Sequence, residues 1–260
     1  MKEPTTWHPV VFPEASMTQM AEGLKGQPTE DYRDHAITEA VLKHLGPQRT
    51  VVDIGAGIGR FTVPLAEANC DVWAVEPSAI MREQLAAAVK ASPSAARVHT
   101  VDGLWPRVEV PRMEVALAAL VIHFSPTPRA FIQAMERTAT RRCVVVIHVE
   151  PMLAALQDWW RIFHPDRPAP IVPAFRDVYT LLWEEGIVAD VAIIEPPARG
   201  DFWRDPEKML DGFATLLDLS TETERAQLAA LLRERLTAPD ASVTRSRHRL
   251  AVVSWTPDSP

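Results

Sequence analysis

Val51-Val52-Asp53-Ile54-Gly55-Ala56-Gly57-Ile58-Gly59-Arg60-Phe61 reads as a strand running straight into a glycine turn and then a helix. Val51, Val52 and Ile54 are β-formers with no polar alternation, the pattern of a parallel strand covered on both faces. Gly55, Gly57 and Gly59 permit a tight turn and leave room for a ligand to approach the backbone. Phe61, Leu65 and Ala66 follow at helical spacing. Strand, turn and helix together make the first half of a nucleotide-binding βαβ unit.

The dinucleotide fingerprint G-x-G-x-x-G needs a glycine where this chain has Arg60. Asp53, two positions before the first glycine, would also repel a pyrophosphate, so a ligand with a cationic centre fits better. Here the chain resembles the class I S-adenosylmethionine-dependent methyltransferases. Their motif D/E-x-G-x-G-x-G is matched by Asp53-Ile54-Gly55-Ala56-Gly57-Ile58-Gly59. The resemblance implies methyl transfer from S-adenosylmethionine, the alternative being a non-catalytic S-adenosylmethionine-binding or protein-interaction module. It also implies a Rossmann-like, doubly wound α/β fold with a seven-stranded, mostly parallel sheet, and cofactor contacts from Asp53, Gly55, Ala56 and Gly57.

The elements around the motif fit this reading. A helical pattern from Glu30, with Ile37, Val41 and Leu45 on one face, stops at Gly46-Pro47. Tyr32 and Arg33 at its start are lid candidates over the methionine end of the cofactor, or simply a solvated helix start. A second strand, Asp71 to Glu76, ends in the acid that a doubly wound fold sets against ribose hydroxyls about 20 residues beyond the turn, with Pro77 beside it. The third strand, Ala96 to Val101, leads into Asp102-Gly103-Leu104-Trp105-Pro106. Family members often carry an acid directly after this glycine, and this chain has Leu104. Adenine would then rest on backbone at Gly103, Leu104 and Trp105, while Trp105 reads equally as core. The fourth strand is expected from Glu114 to Phe124, with Ala119 and Leu120 near the cofactor. The fifth runs from Cys143 to Val149, the sixth from Ile187 to Ile194 and the last from His248 to Trp255, the seventh being antiparallel in the family.

Two segments exceed that core. Residues 150–173 hold Trp159, Trp160, Phe163 and His164 and read as a cap over the acceptor. Residues 198–246 hold two helices. One starts at Asp205-Pro206, and the other at a Thr221/Glu224 capping box. Their apolar faces would wall the pocket or pack a homodimer. The organisation expected is thus an N-terminal arm over 1–29 and a methyltransferase domain over 30–260 with insertions at about 150–173, the cap, and 198–246, the helical pair.

A sulfonium methyl is already electrophilic, so catalysis requires chiefly that the acceptor be held in line with it. His123 follows an apolar strand whose end lies beside the methyl donor, where it is either a base titrating near neutrality or a structural histidine of the pocket floor. His148, Trp159 and Trp160 complete the candidate acceptor site. His148, Glu150, His164 and Asp166 match no metal-binding spacing, and no metal is expected.

The 260 residues carry a net charge of −7, which gives no global attraction to nucleic acid or anionic membranes and favours a small-molecule acceptor. The longest apolar run, Val115 to Ile122, is far short of a membrane span. Cys70 and Cys143 read as small buried residues of a reduced, cytoplasmic protein. Arg245, Arg247, His248 and Arg249 read as a solvated strand entry.

Overall fold

The computed structural model describes Trp7, Tyr32 and residues 35–151, 156–169, 172–195, 206–237 and 249–258. Of the expected N-terminal arm, only Trp7 lies among them; Arg33, Asp205, Arg245, Arg247 and His248 lie outside.

Seven strands form one sheet: β1 Thr50–Ile54, β2 Asp71–Glu76, β3 Val98–Asp102, β4 Met113–Ala119, β5 Ala139–His148, β6 Asp190–Ile194 and β7 Leu250–Trp255. Their order is β3-β2-β1-β4-β5-β7-β6. The first five strands pair in parallel, and β7 runs antiparallel to both β5 and β6. The order reverses between β1 and β4, so the crevice where a doubly wound sheet takes its ligand opens at the carboxyl ends of these two strands. No helix among the described residues is long and apolar enough to cross a membrane.

Two apolar layers sandwich the sheet, which explains why its central strands lack polar alternation. Val52, Ile54, Ala116, Ala118, Val145 and Ile147 point to the face covered by α4 Pro128–Thr138 and α6 Phe175–Glu184, through Phe131, Met135, Leu181 and Leu182. Val51, Val115, Leu117, Val144 and Val146 point to the other face, met by Ile37 and Val41 of α1 Ala36–Leu42 and Leu65 of α2 Thr62–Glu67. The helix α3 Ala79–Ala91 follows β2 and buries Met81 and Leu85. A third cluster stands apart from the sheet. It joins α5 Gln157–Phe163 to α7 Pro206–Leu216 and α8 Glu222–Thr237 through Trp159, Trp160, Met209, Phe213, Leu228 and Leu232.

Several boundaries differ from the sequence reading. The third strand starts at Val98 because a 3-10 turn occupies Ala95–Arg97. The fifth starts at Ala139, so Cys143 lies inside it, and the sixth and seventh start at Asp190 and Leu250. The fourth ends at Ala119, not Phe124. Leu120 takes a left-handed φ of 57°, and Ile122–Phe124 close a 3-10 turn. Those residues are apolar because the turn itself sinks into the core, with Ile122 fully buried.

Candidate active site

The glycine turn is fastened to the end of β2. The Gly55 and Ala56 N–H groups both donate to the Val75 carbonyl, at 2.8 and 3.1 Å. Gly55 and Gly57 adopt left-handed φ values of 72° and 57°. Their surroundings differ. A Cβ on Gly55 would strike Val121, whereas one on Gly57 would meet nothing within 4 Å. The turn is therefore packed on one side and opens to free space at Gly57.

Glu76 lies beside that opening. Its Oε2 accepts from the Gly57 N–H at 2.8 Å and its Oε1 from the Ser78 N–H at 2.9 Å. Burial raises its pKa, and these two N–H bonds and Arg82 oppose the rise. Arg82 also donates to the Glu76 carbonyl and pairs with Asp102 at 2.8 Å, so the ends of β2 and β3 are tied together. Each carboxylate oxygen of Glu76 keeps a lone pair for a further donor.

Asp53 is 2% exposed and points into the layer between β1 and α2, where its Oδ2 accepts from the Thr62 hydroxyl at 2.6 Å. Burial pushes its pKa up to about 6 against the pull of that hydrogen bond. The sequence reading set Asp53 against the ligand; the structure directs its side chain to the first turn of α2, because β1 alternation puts residue 53 on the face of Val51. Thr62, Ser78 and Arg82 were missed. Only Ser78, the N-cap of α3, carries a local sequence signal.

Tyr32 stands by the other end of the turn. Its ring meets Phe61 edge-on at 5.3 Å, and the Arg60 guanidinium lies 5.6 Å from its centre. Gly103 has a φ of 150°, and Leu104 beyond it is 43% exposed. Trp105 is core: it is buried, and its indole N–H donates to the Phe131 carbonyl at 3.2 Å. Its ring is thus committed to the α4 layer, and only backbone remains for the adenine role expected of it.

Residues 51–141, from this turn through β4 and α4, match the family model described as a methyltransferase domain. Over this stretch, about a third of its length, the chain is similar to methyltransferase domains.

No curated protein matches the chain in sequence. Solved structures share its fold. A protein of Anabaena variabilis ATCC 29413, described as a methyltransferase from an antibiotic biosynthesis pathway, is 20% identical over 86% of this chain and 99% of its own, with a TM-score of 0.61. Magnesium protoporphyrin IX methyltransferase of Synechocystis PCC 6803, solved with bound S-adenosylhomocysteine, is 18% identical over 72% and 90%, with a TM-score of 0.54. Geranyl diphosphate C-methyltransferase of Streptomyces coelicolor A3(2) is 12% identical over 85% and 78%, with a TM-score of 0.51.

On the acceptor side, the structure departs from the sequence reading. His123 sits on the 3-10 turn after β4 and is 2% exposed, its ring 4.0 Å from that of Phe124. Its Nδ1 has no hydrogen-bond partner among the described residues. Burial, with a contribution from His148, pushes its pKa down to about 3, so the imidazole is neutral at physiological pH and does not titrate near neutrality. His148 ends β5, half-buried. Trp159 and Trp160 face away from solvent into the third cluster: Trp159 meets Phe213 edge-on, and the Trp160 N–H donates to the Arg167 carbonyl. They hold the two insertions together. His164 accepts this same task through its Nε2 contact with the Leu217 carbonyl at 2.6 Å, and Glu150 pairs with Arg249.

Proposed function

We propose that the protein is an S-adenosylmethionine-dependent methyltransferase acting on a small apolar or aromatic acceptor held at the carboxyl edge of the sheet beneath a cap that includes α5, α7 and α8. The observation that carries this reading is the third apolar cluster. A separate core joins α5, the helix that follows β5 and its terminal His148 in the chain, to α7 and α8. Clefts walled by apolar and aromatic elements with few polar groups are those that take small molecules.

The donor site in this reading is the opening at Gly57. Glu76 would accept from ribose hydroxyls with the lone pairs left by Gly57 and Ser78. Backbone at Gly55, Ala56, Pro77, Gly103, Leu104 and Trp105 would surround the adenosine, with backbone of Ala119 and Leu120 and the Tyr32 ring toward the methionine end. Asp53 acts at one remove, fixing α2 through Thr62. The donor supplies an electrophilic methyl, so the protein's task is to place the acceptor and exclude water. His123, neutral and buried, would orient the acceptor by a hydrogen bond.

The test is transfer of labelled methyl to a panel of phenols, aromatic acids and isoprenoid alcohols. A labelled product extractable into organic solvent is expected. Label recovered only on protein or nucleic acid would overturn the acceptor class while leaving the donor assignment intact.

A further inference from the structure

The strongest unassigned feature lies at the opposite edge of the sheet. Lys43 and His44, just after α1, converge with Thr140, Arg141 and Arg142 of early β5 and with Thr256 after β7 on an open cleft of about 390 Å³. These are the amino ends of parallel strands. Arg142 is six residues before His148 on β5, so the cleft is about 20 Å from the methyl-transfer edge at 3.3 Å per residue.

Its charge runs against that of the chain. Lys43, Arg141 and Arg142 are cationic in a protein of net charge −7. Two carboxylates approach the cleft. Asp190 pairs with Arg142 from a side chain that is 80% exposed. Glu114 lies behind Gly46, with its oxygens already accepting from the N–H groups of Gly46, Gln48 and Arg49. The balance is positive, and His44 registers it. Burial lowers its pKa first, and Arg142, Lys43 and Arg141 lower it further, against Asp190.

The donors are also held in place. Arg142 donates to the hydroxyls of Thr256 and Ser254, at 3.2 and 3.0 Å, and Arg141 donates Nε to the His44 carbonyl at 3.0 Å. Arg141, fixed through its Nε, presents its remaining N–H groups with little loss of side-chain entropy. The Arg141 guanidinium and the Lys43 ammonium beside one open cleft suit a phosphate dianion, which offers several strong acceptor oxygens, while Arg142 is held by Asp190, Ser254 and Thr256 and the Thr140 hydroxyl donates to the Met113 carbonyl.

We propose that this cleft binds a phosphate dianion, free or as the terminal group of a small phosphomonoester, at a site separate from methyl transfer. The experiment titrates the full-length protein at low salt with inorganic phosphate, ribose 5-phosphate and sulfate, read by calorimetry and by amide shifts of Lys43, Arg141 and Thr256. Saturable phosphate binding with shifts at these residues is expected, weakened about tenfold or more in Lys43→Gln and Arg141→Gln. Both side chains are exposed, so the variants should fold, and S-adenosylhomocysteine affinity should stay unchanged in each as proof of folding. Tighter binding of ribose 5-phosphate identifies a phosphomonoester as the ligand, and equal binding identifies free phosphate. Sulfate binding as tightly as both reveals an adventitious ion only and overturns the proposal. So does absence of saturation, or binding that the two substitutions leave untouched, which would leave the basic groups as partners of the α1 carboxyl end.

Discussion

The carboxylate of Glu76 accepts the backbone N–H of Gly57 at 2.8 Å, so the acid ending β2 holds the glycine turn that follows β1 in its left-handed conformation. One side chain thereby shapes the turn and borders the space in front of it. Glu76→Ala should lower S-adenosylhomocysteine affinity by about 1–3 kcal/mol, through loss of charged hydrogen bonds and of the turn's support. Calorimetry measures it. An unchanged affinity would remove Glu76 from the donor site.

Gly57 and Gly55 should separate packing from binding. A Cβ at Gly57 meets nothing within 4 Å, so Gly57→Ala suffers only the strain of its positive φ, about 1 kcal/mol, yet projects into the proposed donor space. Gly55→Ala drives a methyl into Val121 and should destabilise the fold itself. Expected results are a near-native melting temperature with weakened ligand binding for the first, and a lowered melting temperature for the second. Native affinity in Gly57→Ala would place the ligand elsewhere.

Asp53 gives the ligand-free protein a pH signature. Its folded pKa, about 6, stands above the unfolded value near 3.9, so the native state binds the proton more tightly. This contribution to stability is fully present below the unfolded pKa and is lost as pH rises through about 6. It amounts to up to about 3 kcal/mol at 1.4 kcal/mol per unit. Glu76, also raised, adds in the same direction. Asp53→Asn keeps an acceptor for Thr62 and should flatten the dependence between pH 4 and 6. Chemical denaturation at several pH values measures this, and an unaltered slope would contradict the burial argument.

The cap makes a different demand. Trp159 and Trp160 are buried in a cluster apart from the sheet layers, so truncation of either to Ala should cost about 3–5 kcal/mol locally. Hydrogen exchange should quicken in α7 and α8 while β1 and β4 stay protected, and turnover should fall further than S-adenosylhomocysteine affinity. Uniform loss of protection across the sheet would instead make the cap part of the main core.

Legibility followed locality. The β1 run, the glycine turn and the acid at Glu76 are neighbours along the chain or a fixed spacing apart, and the sequence pattern carried them to the right places. Side-chain direction was harder. The outward reading of Asp53 failed because its partner, Thr62, lies on a helix with no motif to announce it. Trp105, Trp159 and Trp160 could equally line a pocket or fill a core, and only tertiary packing decides between these. The β4 terminus was misplaced for the same reason: an apolar run cannot distinguish a buried strand from a buried turn.

That turn decides the role of His123. A histidine at the end of an exposed strand would titrate near its ordinary value, but the 3-10 turn buries this one, and desolvation pushes its pKa down to about 3. The neutral ring can accept or donate a hydrogen bond, but it is a weak base, since proton transfer is most effective from a group whose pKa lies near the working pH. The carbon-bound proton shifts of His123 should therefore stay those of neutral imidazole down to pH 4. The stability linked to it should be present above pH 6.5, the unfolded value, and decline as pH falls toward 3. With a genuine acceptor, His123→Ala should lower turnover and His123→Gln should restore much of it, because an amide can replace an orienting hydrogen bond but not a base. Both should leave S-adenosylhomocysteine affinity near native. A turnover pKa between 6 and 8 that disappears in His123→Gln would show proton transfer and overturn the orienting role; native turnover in His123→Ala would leave the residue a packing element of the turn.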